Sequence, residues 1–306
     1  MTGLLFLMDN MYLSSFLSIL PMGYVVFFCD LVYYVSHTHC VIWGGKEMNS
    51  FWGLVKKDLT LSTMWFFTWL VGLICLVAVS FGLQNLIDEP LTVFGFLVMI
   101  IFFQVFLAPV LIYCHLRLEG KNQLWLYNPN GAVRLLLSKL TASLLYQLIS
   151  QVLLTGYGVF LYHFLDSKAI VLNDIPLTGT ILIFNLYGLF LTAYTSAALM
   201  LLWTVFHSLK ACSSALRRFR WIICFLLGAG WYMIEGYGLA TLLKPLDRLW
   251  YFTVYGDFQF HYKKSIGWSL EMKTIHLSYL TLPVMLVLAA VFLFLASKLL
   301  QRKVEV

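Results

Sequence analysis

The chain alternates long apolar runs with short polar intervals. From residue 48 onward the runs fall at about 62–83, 91–115, 131–164, 178–207, 221–243 and 277–295, each matching or exceeding the ~20 residues a helix needs to cross a bilayer. They predict six spans, with both ends of the 48–306 region on one side. The third run is longer than a crossing requires, so its first turns, with Arg134 and Lys139, are expected to project into the aqueous phase. Pro109 near the end of the second run predicts a kink. In the first run's approach, NSFWGLVKKDLT at 49–60, Phe51, Trp52 and Val55 stand against Lys56, Lys57 and Asp58. That pattern predicts an amphipathic helix lying in the headgroup layer.

Two polar intervals stand out. Residues 117–140, RLEGKNQLWLYNPNGAVRLLLSKL, form a basic connector broken by the turn signal Asn128-Pro129-Asn130-Gly131. Residues 244–275 form a long segment between the fifth and sixth runs, in which Phe258, Phe260 and Tyr262 alternate with polar residues and predict a short strand or hairpin. Residues 1–47 fit neither pattern. They are apolar over 4–35 but carry Asp9 and Asp30 and a Pro21-Met22-Gly23 break. Two readings stay open: an extra N-terminal helix, or a translated leader upstream of a biological start at Met48. The second arises because Gly44-Gly45-Lys46-Glu47 can be encoded by purine-rich codons beginning GGAGG, a ribosome-binding sequence. Mass spectrometry of the native protein separates the two.

Composition agrees with a membrane protein. Of 306 residues 61% are hydrophobic and 11% charged, and the mean hydropathy is +0.86, too apolar for a soluble surface. The formal charge of +6 does not indicate nucleic acid, because Lys and Arg lie in short connectors and not along one helix face. Their distribution orients the chain. Lys56, Lys57, Arg117, Lys121, Arg134, Lys139, Lys210, Arg217, Arg218, Arg220, Lys298, Arg302 and Lys303 fall on one side. The other side has Lys168, Lys244, Arg248, Lys263, Lys264 and Lys273, five of them in the one long segment. By the positive-inside rule the first side, with both ends of 48–306, is cytoplasmic, and 244–275 is extracellular. The expected location is the cell membrane.

Candidate chemistry is sparse. The six cysteines contain no CxxC pair and read as small buried hydrophobes. The two Gly-Lys pairs, at 45–46 and 120–121, lack the glycine five residues upstream that a phosphate-binding loop requires, so no nucleotide site of that type is present. His37-Thr38-His39-Cys40 lacks a fourth partner for a tetrahedral metal site. No metal or cofactor is expected on this chain. Ser143, Gln147, Gln151 and Thr155 recur every four residues on the third span; Asn185, Gly188, Thr192 and Ser196 form a similar stripe on the fourth. These stripes serve either helix packing by small and hydrogen-bonding residues or a substrate path. Glu235, among Gly230, Gly236 and Gly238, is the one acidic residue well inside a span. It must be protonated, paired or lifted to a watery level by a helix break, and is a gating candidate.

The layout of six spans, amphipathic N-terminal segment, structured connector between spans two and three and long outer segment between five and six resembles the permease subunit of ABC-2 type (type V) exporters. Leu124-Trp125-Leu126-Tyr127-Asn128-Pro129, followed by Leu135-Leu136-Leu137-Ser138-Lys139-Leu140, is similar to the bacterial, Firmicutes-type members. The architectural likeness covers about 48–303; the sequence likeness is concentrated in 117–140. The resemblance implies an all-α six-span bundle and a dimer with a second copy or a paralogue, surrounded by membrane lipids. It also implies a separate ATPase subunit that holds ATP and Mg. It makes the connector a coupling helix, with Glu119, Lys121, Gln123, Trp125 and Tyr127 as contacts to that ATPase. The function implied is export of an amphiphilic or lipid-like substrate, or an antimicrobial peptide, without catalysis in this chain. A different class of reading is an intramembrane lipid-modifying enzyme, which would need acid, base or metal ligands clustered at one depth; the spans offer Glu235, His163 and His207, well separated. A membrane sensor or immunity component is a variant of the first reading.

Overall fold

The computed structural model describes residues 50–88, 91–122, 131–166, 177–209, 218–239, 251–263 and 267–303. These form seven α-helices, a π-helical turn and one β-hairpin. In chain order they are α1 (Ser50–Ile87), α2 (Leu91–Gln104), α3 (Leu107–Asn122), α4 (Gly131–Asp166), α5 (Leu177–Ser208), α6 (Arg220–Met233), the π-turn Ile234–Leu239, β1 (Tyr251–Lys263), β2 (Gly267–Ser278) and α7 (Thr281–Lys303). Five helical stretches are long and apolar enough to cross a membrane: Phe51–Ile87, Leu91–Gly120, Gly131–Leu165, Ile181–Ser208 and Thr281–Gln301. Their outward faces stay apolar, as at Val152 and Phe225, both more than two-thirds exposed. Apolar burial cannot select that surface in water, but it suits a lipid surround. The chain is therefore a multi-pass helical membrane protein.

Three expectations need correction. The amphipathic segment is not a separate interfacial helix: 50–60 is continuous with the first span in the 38-residue α1. No proline interrupts it, and Asp58 and Ser62 turn inward to bury polar groups against α3 and α4. Crossing-length helices number five among the described residues, because the fifth predicted span is a 14-residue α-helix that widens into the π-turn at Ile234. Glycine at 228, 230, 236 and 238 weakens regular helix there, as the sequence indicated. Finally, the polar segment before α7 forms a much longer hairpin than a short strand, and α7 accordingly begins at Thr281.

The second span breaks where proline requires it. Pro109 has no N–H to reach the Val105 carbonyl. The backbone answers with tighter bonds, Val105 N–H to Phe102 O and Phe106 N–H to Phe103 O, before Val110 N–H to Phe106 O resumes the α pattern. At the start of α4, Gly131 takes φ 76°, a left-handed turn conformation that suits glycine.

The hairpin pairs antiparallel from Tyr251↔Ser278 to Lys263↔Gly267, with a bulge between Tyr255 and Asp257. It neighbours α2, α5 and α7 and leads directly into α7. The other end of α7 packs Ala296 and Leu300 among Ile112, Leu116, Leu135, Leu136, Leu140, Met200 and Trp203, a core at the end of the bundle where α3 finishes and α4 begins. The hairpin stands at the opposite end. A second core, Tyr187, Tyr194, Ala197, Met285, Ala289 and Phe292, joins α5 to α7.

Candidate functional site: an ion cluster at the roots of the connector

Each of α1, α3 and α4 brings a pair of polar side chains to one face. Asp58 and Ser62, and likewise His115 and Glu119, are four residues apart, the spacing that stacks side chains on adjacent helical turns. Ser138 and Lys139 sit two turns into α4. All six are at most 3% exposed. The Lys139 ammonium lies 2.8 Å from Glu119 Oε1 and 3.3 Å from Asp58 Oδ1. Ser138 Oγ donates to Asp58 Oδ2 at 2.8 Å, and half-exposed Lys57 donates to Glu119 Oε1 at 3.0 Å. Ser62 Oγ lies within hydrogen-bonding reach of both the Asp58 carbonyl oxygen, at 2.9 Å, and His115 Nε2.

Two carboxylates face two ammonium groups, so the cluster is close to neutral. That balance is what allows full burial, since an unpaired charge here would cost several kcal/mol, roughly 3–5 when one partner is removed. Glu119 Oε2 and His115 Nδ1 remain buried without a hydrogen-bond partner among the described residues. Chemically the cluster is a clamp. It ties α1 to α3 four residues before the connector begins and to α4 nine residues after it ends.

This geometry revises two assignments. Glu119 is not an outward contact for a partner but a buried anchor, because α3 continues through Asn122 and the helical turn carries its carboxylate inward. Lys139 does not project into the cytoplasm for the same reason; Arg134, one turn earlier, is exposed. Lys121 lies in the last turn of α3, and Gln123, Trp125 and Tyr127 lie outside the described residues. Asp58, His115 and Lys139 were not singled out as site residues from sequence. The repeated four-residue spacing and a lysine inside an otherwise apolar helix were the available signals.

The two polar stripes meet. Asn185 Nδ2 donates to Thr155 Oγ1 at 2.9 Å, and the Gln151 amide lies against Gly188, where a Cβ would come within 3.1 Å of its nitrogen. Further along the same two stripes stand Gln147 and Ser143 on α4 and Thr192 and Ser196 on α5. All four are fully buried. Thr192 bonds back to Gly188 O at 2.7 Å, whereas both amide atoms of Gln147 and the hydroxyls of Ser143 and Ser196 have no partner among the described residues. One half of the seam is thus hydrogen-bonded helix packing, and the other half has unmet hydrogen-bonding capacity. Nearby, Ser150 donates to Gln104 Oε1 on α2 at 3.0 Å.

Glu235 sits in the π-turn, half-buried, and accepts a 2.8 Å hydrogen bond from Tyr194. Its partner Tyr194 lies near the middle of the crossing stretch Ile181–Ser208.

Compared with curated proteins, the chain is 45% identical over 259 residues to the uncharacterized protein YhcE of Bacillus subtilis (strain 168). The match covers 85% of this chain and the whole of that protein. No family model matches, and no solved structure matches.

Proposed function

The chain belongs to the same family as YhcE, and from that premise we propose that it is the transmembrane permease subunit of an ATP-driven exporter of the ABC-2 type. A separate P-loop ATPase supplies the energy, and a second permease subunit completes the pore. The observation that carries this reading is the ion cluster. A connector that transmits a motor's movement must be joined stiffly to the helices it moves, and Lys139, Glu119, Asp58 and Lys57 join both of its roots to α1.

In this mechanism ATP-driven closure of the motor pair displaces residues 123–130. The clamp passes that displacement to α1, α3 and α4 together, and the seam between α4 and α5 opens to one side of the membrane and then the other. The unpartnered amide of Gln147 and the hydroxyls of Ser143 and Ser196 would be satisfied by the polar headgroup of a passing amphiphile. The short α6, with its π-turn, and the hairpin close the outer end.

The test is affinity purification of the tagged chain from its own host's membranes in a mild detergent. A P-loop ATPase is expected to co-purify in stoichiometric amount and to hydrolyse ATP in nanodiscs with it. Recovery of the folded chain with no ATPase partner would overturn the proposal.

A further inference from the structure

α6 rises from Arg220, and Glu235 lies 15 residues on, about 22 Å along the axis at 1.5 Å per residue. Its partner Tyr194, and Phe292 stacked on that ring, lie near the middle of the crossing stretches Ile181–Ser208 and Thr281–Gln301, which puts the carboxylate near mid-bundle. There the wider π-turn displaces Glu235 from the regular α-helical spacing, a backbone irregularity common at ligand sites. The carboxylate ends a directed chain of donors: Trp231 Nε1–H donates to the Tyr194 oxygen, and Tyr194 O–H donates to Glu235 Oε2 at 2.8 Å. The Tyr194 hydrogen bond orients the carboxylate. Aromatic groups pack beside it. Phe292 stacks on Tyr194 with centroids 5.8 Å apart and meets the Trp231 ring edge-on at 5.0 Å. Tyr187, two turns before Tyr194, belongs to the same core. Among the described residues no Lys, Arg or His forms an ion pair with Glu235. Glu235 and Trp231 are only partly covered, while Ile234 and Tyr237 beside them are exposed, so the carboxylate can be approached laterally.

We propose that Glu235, with the partly exposed Trp231 beside it and Tyr194 orienting its carboxylate, is a binding site for an organic cation, the ammonium headgroup of an amphiphile. A carboxylate beside an indole recognises a weakly hydrated ammonium by ion pairing and cation–π attraction together. A hard metal ion would require several more oxygen ligands than one carboxylate provides. The exposed apolar surface beside the carboxylate, Ile234 and Tyr237 with Leu227 two turns earlier, accepts the alkyl chain of the same molecule. The inference deepens the exporter reading by giving its substrate a positive charge, and it can be tested with no ATPase present.

The probe is decyltrimethylammonium below its micellar concentration, titrated into the purified full chain in a maltoside detergent and followed by tryptophan fluorescence. Saturable binding is expected, with decyl sulfate producing none. Glu235→Gln, nearly isosteric, should weaken binding by about tenfold or more, and Trp231→Phe by several-fold, in line with one lost ion pair or cation–π contact. Tyr194→Phe keeps the carboxylate but loses its orienting hydrogen bond and should give an intermediate loss; it serves as the test should Glu235→Gln not fold. Equal affinity in wild type and in the folded variants, or equal binding of decyl sulfate, would overturn the cation site. That outcome leaves the permease reading to its own co-purification test.

Discussion

Lys139 on α4 lies 2.8 Å from Glu119 on α3, and neither side chain is more than 4% exposed. The pair joins the end of α3 to the first turns of α4. The two roots are therefore held together by charge as well as by the apolar contacts of Leu116 with Leu135, Leu136 and Leu140.

Removing the cation should be costly. Lys139→Met leaves two carboxylates facing each other in a buried site, with only Lys57 to offset them, and is expected to destabilise the protein by roughly 3–5 kcal/mol. Adding Asp58→Asn leaves Glu119 paired with Lys57 and removes the carboxylate that lost its cation, so the double variant should be more stable than Lys139→Met alone. Thermal unfolding in detergent, arranged as a double-mutant cycle, measures the coupling.

The connector itself should behave differently. Trp125→Ala is expected to insert and fold normally while abolishing stimulation of the partner ATPase. Glu119→Arg, by contrast, adds a third cation to a buried site and should reduce folded yield before any effect on coupling appears. Size-exclusion profiles and ATPase rates of the two variants, read together, separate a partner contact from a structural anchor.

Gly188 tests the seam. A Cβ there would lie 3.1 Å from the Gln151 amide nitrogen, the movable end of a flexible side chain. Gly188→Ala should therefore cost less than ~1 kcal/mol, whereas Gly188→Leu forces α4 and α5 apart and should cost about 1–3 kcal/mol. Melting temperatures of the pair provide the comparison, and accelerated or lost transport in Gly188→Leu would mark the seam as part of the path.

Orientation has a direct check. With the C-terminal Lys298, Arg302 and Lys303 on the cytoplasmic side, a C-terminal green fluorescent protein fusion should fluoresce and an alkaline phosphatase fusion should be inactive. The reverse pattern would invert the topology.

Hydrophobic run length located the cores of all five crossing helices, and Pro109 the break in the second, because a bilayer imposes a length and an apolar surface that any single segment must satisfy by itself. The local signals at Asn130-Gly131, at the glycines around Glu235 and in the alternating 258–262 stretch are of the same kind, and the structure places a left-handed glycine, a π-turn and a hairpin there. The fate of Glu119 and Lys139 was a different matter. A charged residue next to an apolar run reads as a solvated connector, and nothing local distinguishes that from a charge turned inward. Glu119 is paired with groups 62 residues before it and 20 after it, and Asp58 with a lysine 81 residues on. Whether a charge is solvated or buried depends on which partners the packed helices deliver to it. Composition and run length place Glu119 at the membrane's edge; only the crossing of α1, α3 and α4 makes it part of a buried, nearly neutral clamp.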